Sequence, residues 1–298
     1  MSIKAVVYVS VALVAGCTGA LSQGYIPLTD CDKYAGSPYD PSLKGAGVAA
    51  DKIDPTLAIP ACEEAVRNYP NNGRFLFQLG RSYFAAKDDA QALAWYGKSA
   101  DQGYGPGQYN LGFMYLNGRG VPQDDAQALA WYRKSADQGD IEAQYNLGVM
   151  YAKGLGVPKD DAQAFAWFQK SADQGDAVAQ YNLGIIFANG RSVSKDDAQA
   201  VAWFQKSAHQ GYVLAQYNLG VMYANGRGVP KDDAQAVAWY RKSADQGYAG
   251  AQYNLGAMYA IGRGVLKDDA QAVAWYRRAT DQGNELAKKE LEKILSRR

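Results

Sequence analysis

Residues 212–247 read YVLAQYNLGVMYANGRGVPKDDAQAVAWYRKSADQG, and this stretch decides the fold. Close copies of it begin at Tyr104, Asp140, Asp176 and Tyr248, and the six tryptophans of the chain are spaced 36 residues apart. A segment of this length cannot bury a core by itself, whereas stacked copies can share a continuous one. The sequence therefore predicts one array of repeats, not the two domains that a length of 298 residues would suggest.

Each copy has the pattern of two helices joined by a short loop. In the copy that begins at Asp140, apolar residues recur at offsets of three and four, as at Leu147 and Met150, which is the stripe of an amphipathic helix. The glycine- and proline-containing residues 154–158 then interrupt the helix. Asp160, followed three residues later by Gln, is a start signal for a second helix.

The shared pattern A-x-Y-N-L-G-x-M-Y-x-x-G-x-G-V-x-x-D-x-x-x-A-x-x-W-Y resembles the Sel1-like repeats, which are relatives of tetratricopeptide repeats. The resemblance covers five 36-residue units at residues 104–283. It implies an all-α fold, a right-handed α-solenoid of helix-turn-helix repeats. We number these units 1 to 5 in chain order.

Residues 54–103 have a different spacing from the five units. Gly80 and Trp95 are 15 residues apart, whereas Gly112 and Trp131 in unit 1 are 19 apart, so the Gly-x-Gly-Val loop is missing. This spacing resembles a tetratricopeptide half unit followed by one full unit. Beyond the array, residues 284–298 predict a C-terminal cap helix, with Leu286, Leu291, Ile294 and Leu295 as its apolar stripe.

The N-terminal region predicts export. Residues 1–16 combine one lysine with an apolar run too short to span a bilayer, which is typical of a signal peptide. The run ends at Val14-Ala15-Gly16-Cys17, which resembles a bacterial lipobox with Cys17 as the lipidated residue. Ordinary cleavage a few residues later is the alternative. We expect an exported protein, in the periplasm or an outer-membrane lipoprotein of a Gram-negative-type bacterium, with an irregular segment at residues 17–53.

The remaining two cysteines, Cys31 and Cys62, form an even pair in a chain expected to reach an oxidising compartment. We predict that they are bonded to each other. The alternative, two free thiols in a cytosolic protein, conflicts with the leader.

Composition argues against several kinds of chemistry. The chain has one histidine and a formal charge of +1, so it offers no set of convergent metal ligands and no basic run for nucleic acid. We expect no metal, no cofactor and no nucleic-acid partner, and membrane contact only through a lipid anchor or a partner. Ser192-Val-Ser-Lys195 matches the S-x-x-K of serine β-lactamases, but neither S-D-N nor K-T-G occurs in the chain.

The candidate binding residues lie in the first helix of each unit. In tetratricopeptide arrays the asparagine of this pattern lines the concave groove, and a carboxamide both donates and accepts, as an extended backbone requires. The alternative is an asparagine that ties adjacent units together or caps a local backbone group. The position after the motif glycine varies between otherwise similar units, which indicates either a tuned face or relaxed constraint. The candidates are Asn110, Asn146, Asn182, Asn218 and Asn254, the tyrosines Tyr109, Tyr145, Tyr181, Tyr217 and Tyr253, and the variable residues Phe113, Val149, Ile185 and Val221.

These patterns favour binding over catalysis. We expect a non-catalytic scaffold or adaptor of the bacterial cell envelope that holds a protein or peptide on its concave face, with no catalytic residues. The alternative is a β-lactamase-like hydrolase, because some relatives of the Sel1-like repeats carry that label. The groove is expected to be mostly apolar, with carboxamides and little net charge.

Overall fold

The computed structural model describes residues 28–38, 40, 43 and 47–296. Within them the chain is helical and no strand occurs. One 3-10 turn lies at Ala50–Lys52, between the first two α-helices. The helices are α1 (Asp30–Ala35), α2 (Pro55–Asn68), α3 (Gly73–Ala85), α4 (Asp89–Asp101), α5 (Gly105–Asn117), α6 (Asp125–Asp137), α7 (Ile141–Lys153), α8 (Asp161–Asp173), α9 (Ala177–Asn189), α10 (Asp197–His209), α11 (Val213–Asn225), α12 (Asp233–Asp245), α13 (Ala249–Ile261), α14 (Asp269–Asp281) and α15 (Glu285–Leu295).

Local sequence signals set the helix ends. The Asp160 side chain accepts hydrogen bonds from the backbone N–H groups of Ala162 and Gln163, so it caps α8 as the pattern predicts. The first helix of the same unit, α7, ends at Gly154, which has a φ of 72° in the left-handed region that glycine adopts without a steric penalty. Each unit is thus a helix-turn-helix, and consecutive helix pairs stack into the predicted α-solenoid.

Close approach of paired helices builds the core. A Cβ added at Gly148 of α7 would lie 2.6 Å from the Phe168 ring of α8, so only glycine fits at that point. Leu147 and Met150 flank this contact and are buried. The same arrangement repeats along the array, which explains why the motif glycine lies inside an apolar stripe.

The tryptophans are packing residues. Trp167, Trp203, Trp239 and Trp275 are at most 8% exposed. A cation one turn further along each helix covers the outer face of the indole, with Lys170 Nζ 3.9 Å from the centroid of the Trp167 ring. The 36-residue tryptophan spacing therefore reflects packing of the repeated core.

Two polar ladders join helices within a unit and between neighbouring units. Gln174 Nε2 donates to Gln144 Oε1 at 2.8 Å and to the Gly139 carbonyl at 3.1 Å. At the other end of the units, Arg191 Nη2 donates to Asp161 Oδ1 at 2.7 Å. Gln174 and Gln144 belong to the same unit, so their bond ties its two helices together. The bond to Gly139 and the pair of Arg191 with Asp161 cross a unit boundary and set the stacking of neighbouring units.

Residues 17–53, which the sequence predicts to be irregular, contain helix α1 as well as the 3-10 turn. Cys31 in α1 and Cys62 in α2 form a disulfide, which confirms the predicted pairing. The predicted signal peptide and the lipidation site Cys17 lie outside the described residues.

Helix α15 packs against α14 at the C-terminal end of the array. Its buried stripe is Ala287, with Leu291 and Ile294 partly buried beside it. Leu286 and Leu295 are 58% and 42% exposed, so the prediction that they belong to the inner stripe is wrong. Residues 287, 291 and 294 follow the helical spacing of three and four, and this geometry, not apolar character alone, selects the inner face.

Among the helices of the described residues, none is both long enough and apolar enough to cross a membrane.

Candidate functional site

The predicted groove residues lie on the first helices of the five units, α5, α7, α9, α11 and α13. The tyrosine, asparagine and variable positions are all partly exposed, whereas the leucine and glycine that follow each asparagine are buried. The first helices thus present a continuous line of half-accessible side chains. We call this line the groove face.

The asparagine ladder links neighbouring units. Asn218 Nδ2 lies 3.5 Å from the Tyr181 hydroxyl of the preceding unit and donates to the Leu214 carbonyl at 3.1 Å. Burial raises the pKa of Tyr145, and a hydrogen bond from Asn182 partly offsets that shift. The same relationship joins Tyr109 with Asn146 and Tyr217 with Asn254. These amides therefore already have partners within the array, while their side chains remain partly exposed on the groove face.

The groove-face tyrosines have a packing role on their inner side. The ring of Tyr145 lies 5.8 Å from that of Phe168, and Tyr109 and Tyr132 are 5.5 Å apart. The equivalent pairs recur in units 3, 4 and 5. Each ring is thus packed against the second helix of its unit and is partly exposed on its remaining surface.

A cavity of about 290 Å³ opens on the groove face between units 2 and 3. It brings together four of the predicted residues: Tyr145 and Val149 from α7, and Asn182 and Ile185 from α9. Phe113 and Val221 belong to the groove face but not to this cavity. The other lining residues are Ala152, Lys153, Asp161, Ala164, Phe168, Ile186, Asn189, Arg191 and Ser192.

Several of these lining residues were not among the sequence candidates. Ile186 occupies the position of Met150 and its equivalents, and Lys153 occupies a position that is asparagine in units 1, 3 and 4. The signal was present in the sequence as departures from the repeat. Only the packing shows that departures in two different units face the same space.

Two cationic side chains line the cavity, Arg191, which is ion-paired, and Lys153, which is not ion-paired in the described part of the chain. Arg191 and Asp161 form an ion pair at 2.7 Å, and the hydrogen bond from Arg191 holds the pKa of that carboxyl below its usual value. Lys153, at the last residue of α7, forms no ion pair within 4.0 Å with a carboxylate of the described residues. The cavity therefore has an apolar interior and a free ammonium at its edge.

The groove-face positions of α3 already hold a polypeptide segment. Gln78 lies two residues before Gly80, as Asn146 lies two residues before Gly148. Arg81 follows Gly80 directly, as Val149 follows Gly148. Gln78 Nε2 donates to Asp32 Oδ1 at 2.9 Å. Arg81 donates to the carbonyls of Ala35 and Val48, both at 2.7 Å.

The sequence candidates lie only in the five 36-residue units and do not include these positions of α3. The sequence signal for this contact is two polar residues at these positions. Gln78 stands at the position of the ladder asparagine, and Arg81 at that of the variable apolar residue. At these two positions of α3, side chains bind main-chain carbonyls and a carboxylate of a non-repeat segment.

The described residues contain no group of three or more His, Cys, Asp or Glu side chains that could hold a metal ion. At the S-x-x-K sequence, Ser192 is exposed with a φ of 66°, and Lys195 Nζ lies 3.7 Å from Asp197. Lys195 thus forms an ion pair with Asp197. The same carboxylate also pairs with Arg227 of the next unit.

A family model described as the Sel1 repeat matches six segments, at residues 73–104, 105–140, 141–176, 177–212, 213–248 and 249–284. No curated protein matches the chain at a significant level.

Solved structures with the same fold support this match. A protective antigen of uropathogenic Escherichia coli with an SLR fold is 40% identical over 79% of this chain, with a TM-score of 0.77. The chain covers 52% of that antigen, about half its length. A Sel1 repeat protein from Oxalobacter formigenes is 35% identical, with a TM-score of 0.70, over 82% of this chain and 71% of that one.

Proposed function

We propose a protein-binding function for this chain on the premise that it belongs to the Sel1 repeat family. Repeats of this family are typically scaffolds for protein–protein interaction. More specifically, the chain is a non-catalytic scaffold of the bacterial cell envelope that holds an extended segment of a partner protein on its groove face.

The observation that carries this proposal is the segment bound by α3. There, Gln78 and Arg81 hold Asp32 and the carbonyls of Ala35 and Val48. Hydrogen bonds to main-chain carbonyls do not depend on side-chain identity, so the same surface suits an extended chain of another protein. Helix α1 and Val48 are an internal example of a non-repeat part of a chain that is held at these positions.

The five later units have asparagine at the position of Gln78 and an apolar residue at the position of Arg81, and no internal segment occupies these positions on the described residues. Their tyrosine and asparagine side chains are partly exposed and held by hydrogen bonds and ring contacts from behind. A pre-ordered surface loses little conformational entropy when a ligand binds, which favours affinity. The length of the array then allows several residues of a partner to be held at once.

Location in the envelope is part of the proposal. A disulfide between Cys31 and Cys62 fits export to an oxidising compartment. Lipidation of Cys17 would place the array at a membrane surface. Replacing Cys17 with serine is then expected to move the protein from the membrane fraction to the aqueous fraction, whereas an unchanged distribution would argue against the lipid anchor.

The binding function can be tested by site-specific photo-crosslinking in intact cells. A photoreactive residue at Val221 lies on the groove face, whereas one at Ala238, exposed on the second helix α12, is the control. We expect a discrete protein adduct from Val221 only. Equal labelling from both positions, or none from either, would contradict a groove-bound partner.

A matched pair of variants separates ligand binding from stacking. Asn218→Ala and Tyr181→Phe both remove the contact between Asn218 Nδ2 and the Tyr181 hydroxyl. If Asn218 binds the partner backbone, only Asn218→Ala weakens the Val221 adduct. Equal effects of the two variants would assign the asparagine to inter-unit stacking alone.

A further inference from the structure

The cavity between units 2 and 3 has a specific structural cause. In units 1, 2, 4 and 5 the position of Ile186 is methionine, and Met114, Met150, Met222 and Met258 are all buried. Ile186 is shorter, is only partly buried, and lines the cavity. The β-branched residue leaves unfilled the space that a methionine side chain occupies in the other units.

The size and lining of this space fit an apolar side chain. Val149, Ile185 and Phe168 line the cavity together with Ile186, and Asn182 and Asn189 contribute carboxamides. Engineered apolar cavities of about 150 Å³ bind benzene. The cavity of about 290 Å³ therefore has room for a leucine or phenylalanine side chain.

Charge at the edge of the cavity favours an acidic neighbour for that side chain. Lys153 is the one charged residue at its position in the five units, where Asn117, Asn189, Asn225 and Ile261 are its equivalents. Glu142 lies on the same helix but eleven residues earlier, about 16 Å along the axis. Asp161 is shared by Arg191 and by Lys159, whose Nζ lies 3.8 Å from it, so the charge close to the cavity is net positive and Lys153 is its unpaired cation among the described residues.

The segment held by α3 shows a carboxylate bound on the groove face. Asp32 is 3% exposed and accepts from Gln78, while Arg74 Nε lies 3.3 Å from Asp32 Oδ1. A carboxamide and a nearby cation thus bind one acidic side chain there. Asn182 and Lys153 offer the same pair of groups at the cavity.

We propose that this cavity is a specificity pocket for a partner segment in which a leucine or phenylalanine adjoins an aspartate or glutamate. The apolar side chain enters between Val149, Ile185 and Ile186, and the carboxylate pairs with Lys153. This inference rests on the proposed function. It assigns the selection of the partner to the cavity between units 2 and 3, through apolar burial and one ion pair.

A defined peptide panel tests the pocket directly. The probes are end-blocked peptides Gly-Ser-Xaa-Zaa-Ser-Gly, with Leu, Phe or Ser at Xaa and Asp or Asn at Zaa, together with the reversed order of the central pair. Titration into full-length protein with labelled isoleucine methyl groups is followed by NMR. We expect Leu-Asp or Phe-Asp peptides to shift the Ile185 and Ile186 methyl signals, with Ser peptides at least tenfold weaker.

Two variants restore the residue found in neighbouring units and are therefore compatible with the fold. Ile186→Met fills the cavity and is expected to weaken peptide binding at least tenfold, read from the Ile185 methyl. Lys153→Asn is expected to remove the preference for Asp over Asn while keeping the preference for Leu over Ser. Asn225→Lys in unit 4 is the control and is expected to leave both preferences unchanged.

Failure of the pocket can be distinguished from failure of the scaffold function. If no peptide shifts the isoleucine methyl groups, or if Ile186→Met binds as tightly as the wild-type protein, the pocket proposal is overturned. If the Val221 adduct persists in the Ile186→Met, Lys153→Asn double variant, groove binding stands without this pocket. If peptides bind at the pocket but no adduct forms at Val221, the pocket stands and the extended groove does not.

Discussion

Gln78 and Asp32 are 46 residues apart in sequence, and Gln78 Nε2 donates to Asp32 Oδ1 at 2.9 Å in a buried setting. This bond joins the first full helix pair to the segment that precedes the array. Its position matches the asparagine ladder of the later units. One helix position thus binds a segment of the chain itself in α3 and is partly exposed in the five units that follow.

The first prediction concerns this bond. Gln78→Met keeps the side-chain length but removes a donor from the buried Asp32 carboxylate, so the free energy of unfolding is expected to fall by about 1–3 kcal/mol. Limited proteolysis is expected to cleave near residues 29–36 earlier than in the wild-type protein. Gln91→Met, at an exposed position of α4, is the control. Equal stability of the two variants in urea would show that the bond does not hold the segment.

The second prediction concerns the close approach of paired helices. A Cβ at Gly148 would lie 2.6 Å from the Phe168 ring, so Gly148→Ala is expected to destabilise the fold by about 1–3 kcal/mol. Gly97 lies inside α4 with no atom within 4 Å of an added Cβ. Gly97→Ala is therefore expected to stabilise by about 0.5–1 kcal/mol. Chemical denaturation measures both, and shifts of the same sign would refute the packing argument.

The third prediction concerns a buried tyrosine. Tyr132 is 0% exposed, and its hydroxyl has no hydrogen-bond partner among the described residues. The equivalent residues in units 2 and 3 are Phe168 and Phe204. Tyr132→Phe is therefore expected to leave stability at pH 7 unchanged or raise it by up to about 1 kcal/mol.

The same tyrosine predicts an effect of alkaline pH. Burial raises the pKa of Tyr132 in the folded protein well above the ordinary value of 10.0. The unfolded chain then loses its proton first, so stability is intact below pH 10 and falls as pH rises above it. Tyr132→Phe is expected to reduce that slope by up to about 1.4 kcal/mol per pH unit. Urea denaturation at pH 9 to 11 measures the slope, and an unchanged value would contradict the expectation.

The fourth prediction concerns the disulfide. Cys31 and Cys62 close a loop with a sequence separation of 31 residues. On the chain-entropy model, removing this constraint by the double change to serine costs about 3–4 kcal/mol of stability. Thermal unfolding of the variant and of reduced wild-type protein is expected to show similar losses. Two reactive thiols from these positions in denatured, non-reduced protein would show that the bond does not form.

The sequence alone determined the repeat length, the two-helix units, their caps and the Cys31–Cys62 pairing. These features depend on local periodicity, on short-range capping signals and on the small number of cysteines, all of which are visible in the linear chain. Placement of Asn146, Asn182 and their equivalents on the first helices followed from the same periodicity.

Tertiary structure decided which side chains face one another. Ile186 and Lys153 belong to different units, and their shared cavity depends on how α7, α8 and α9 stack. The docking of Asp32 on Gln78 and the outward position of Leu286 depend likewise on long-range packing. Helical periodicity defines which residues share a face of each helix. The volumes of residues far apart in sequence decide which side chains or cavities that face contacts.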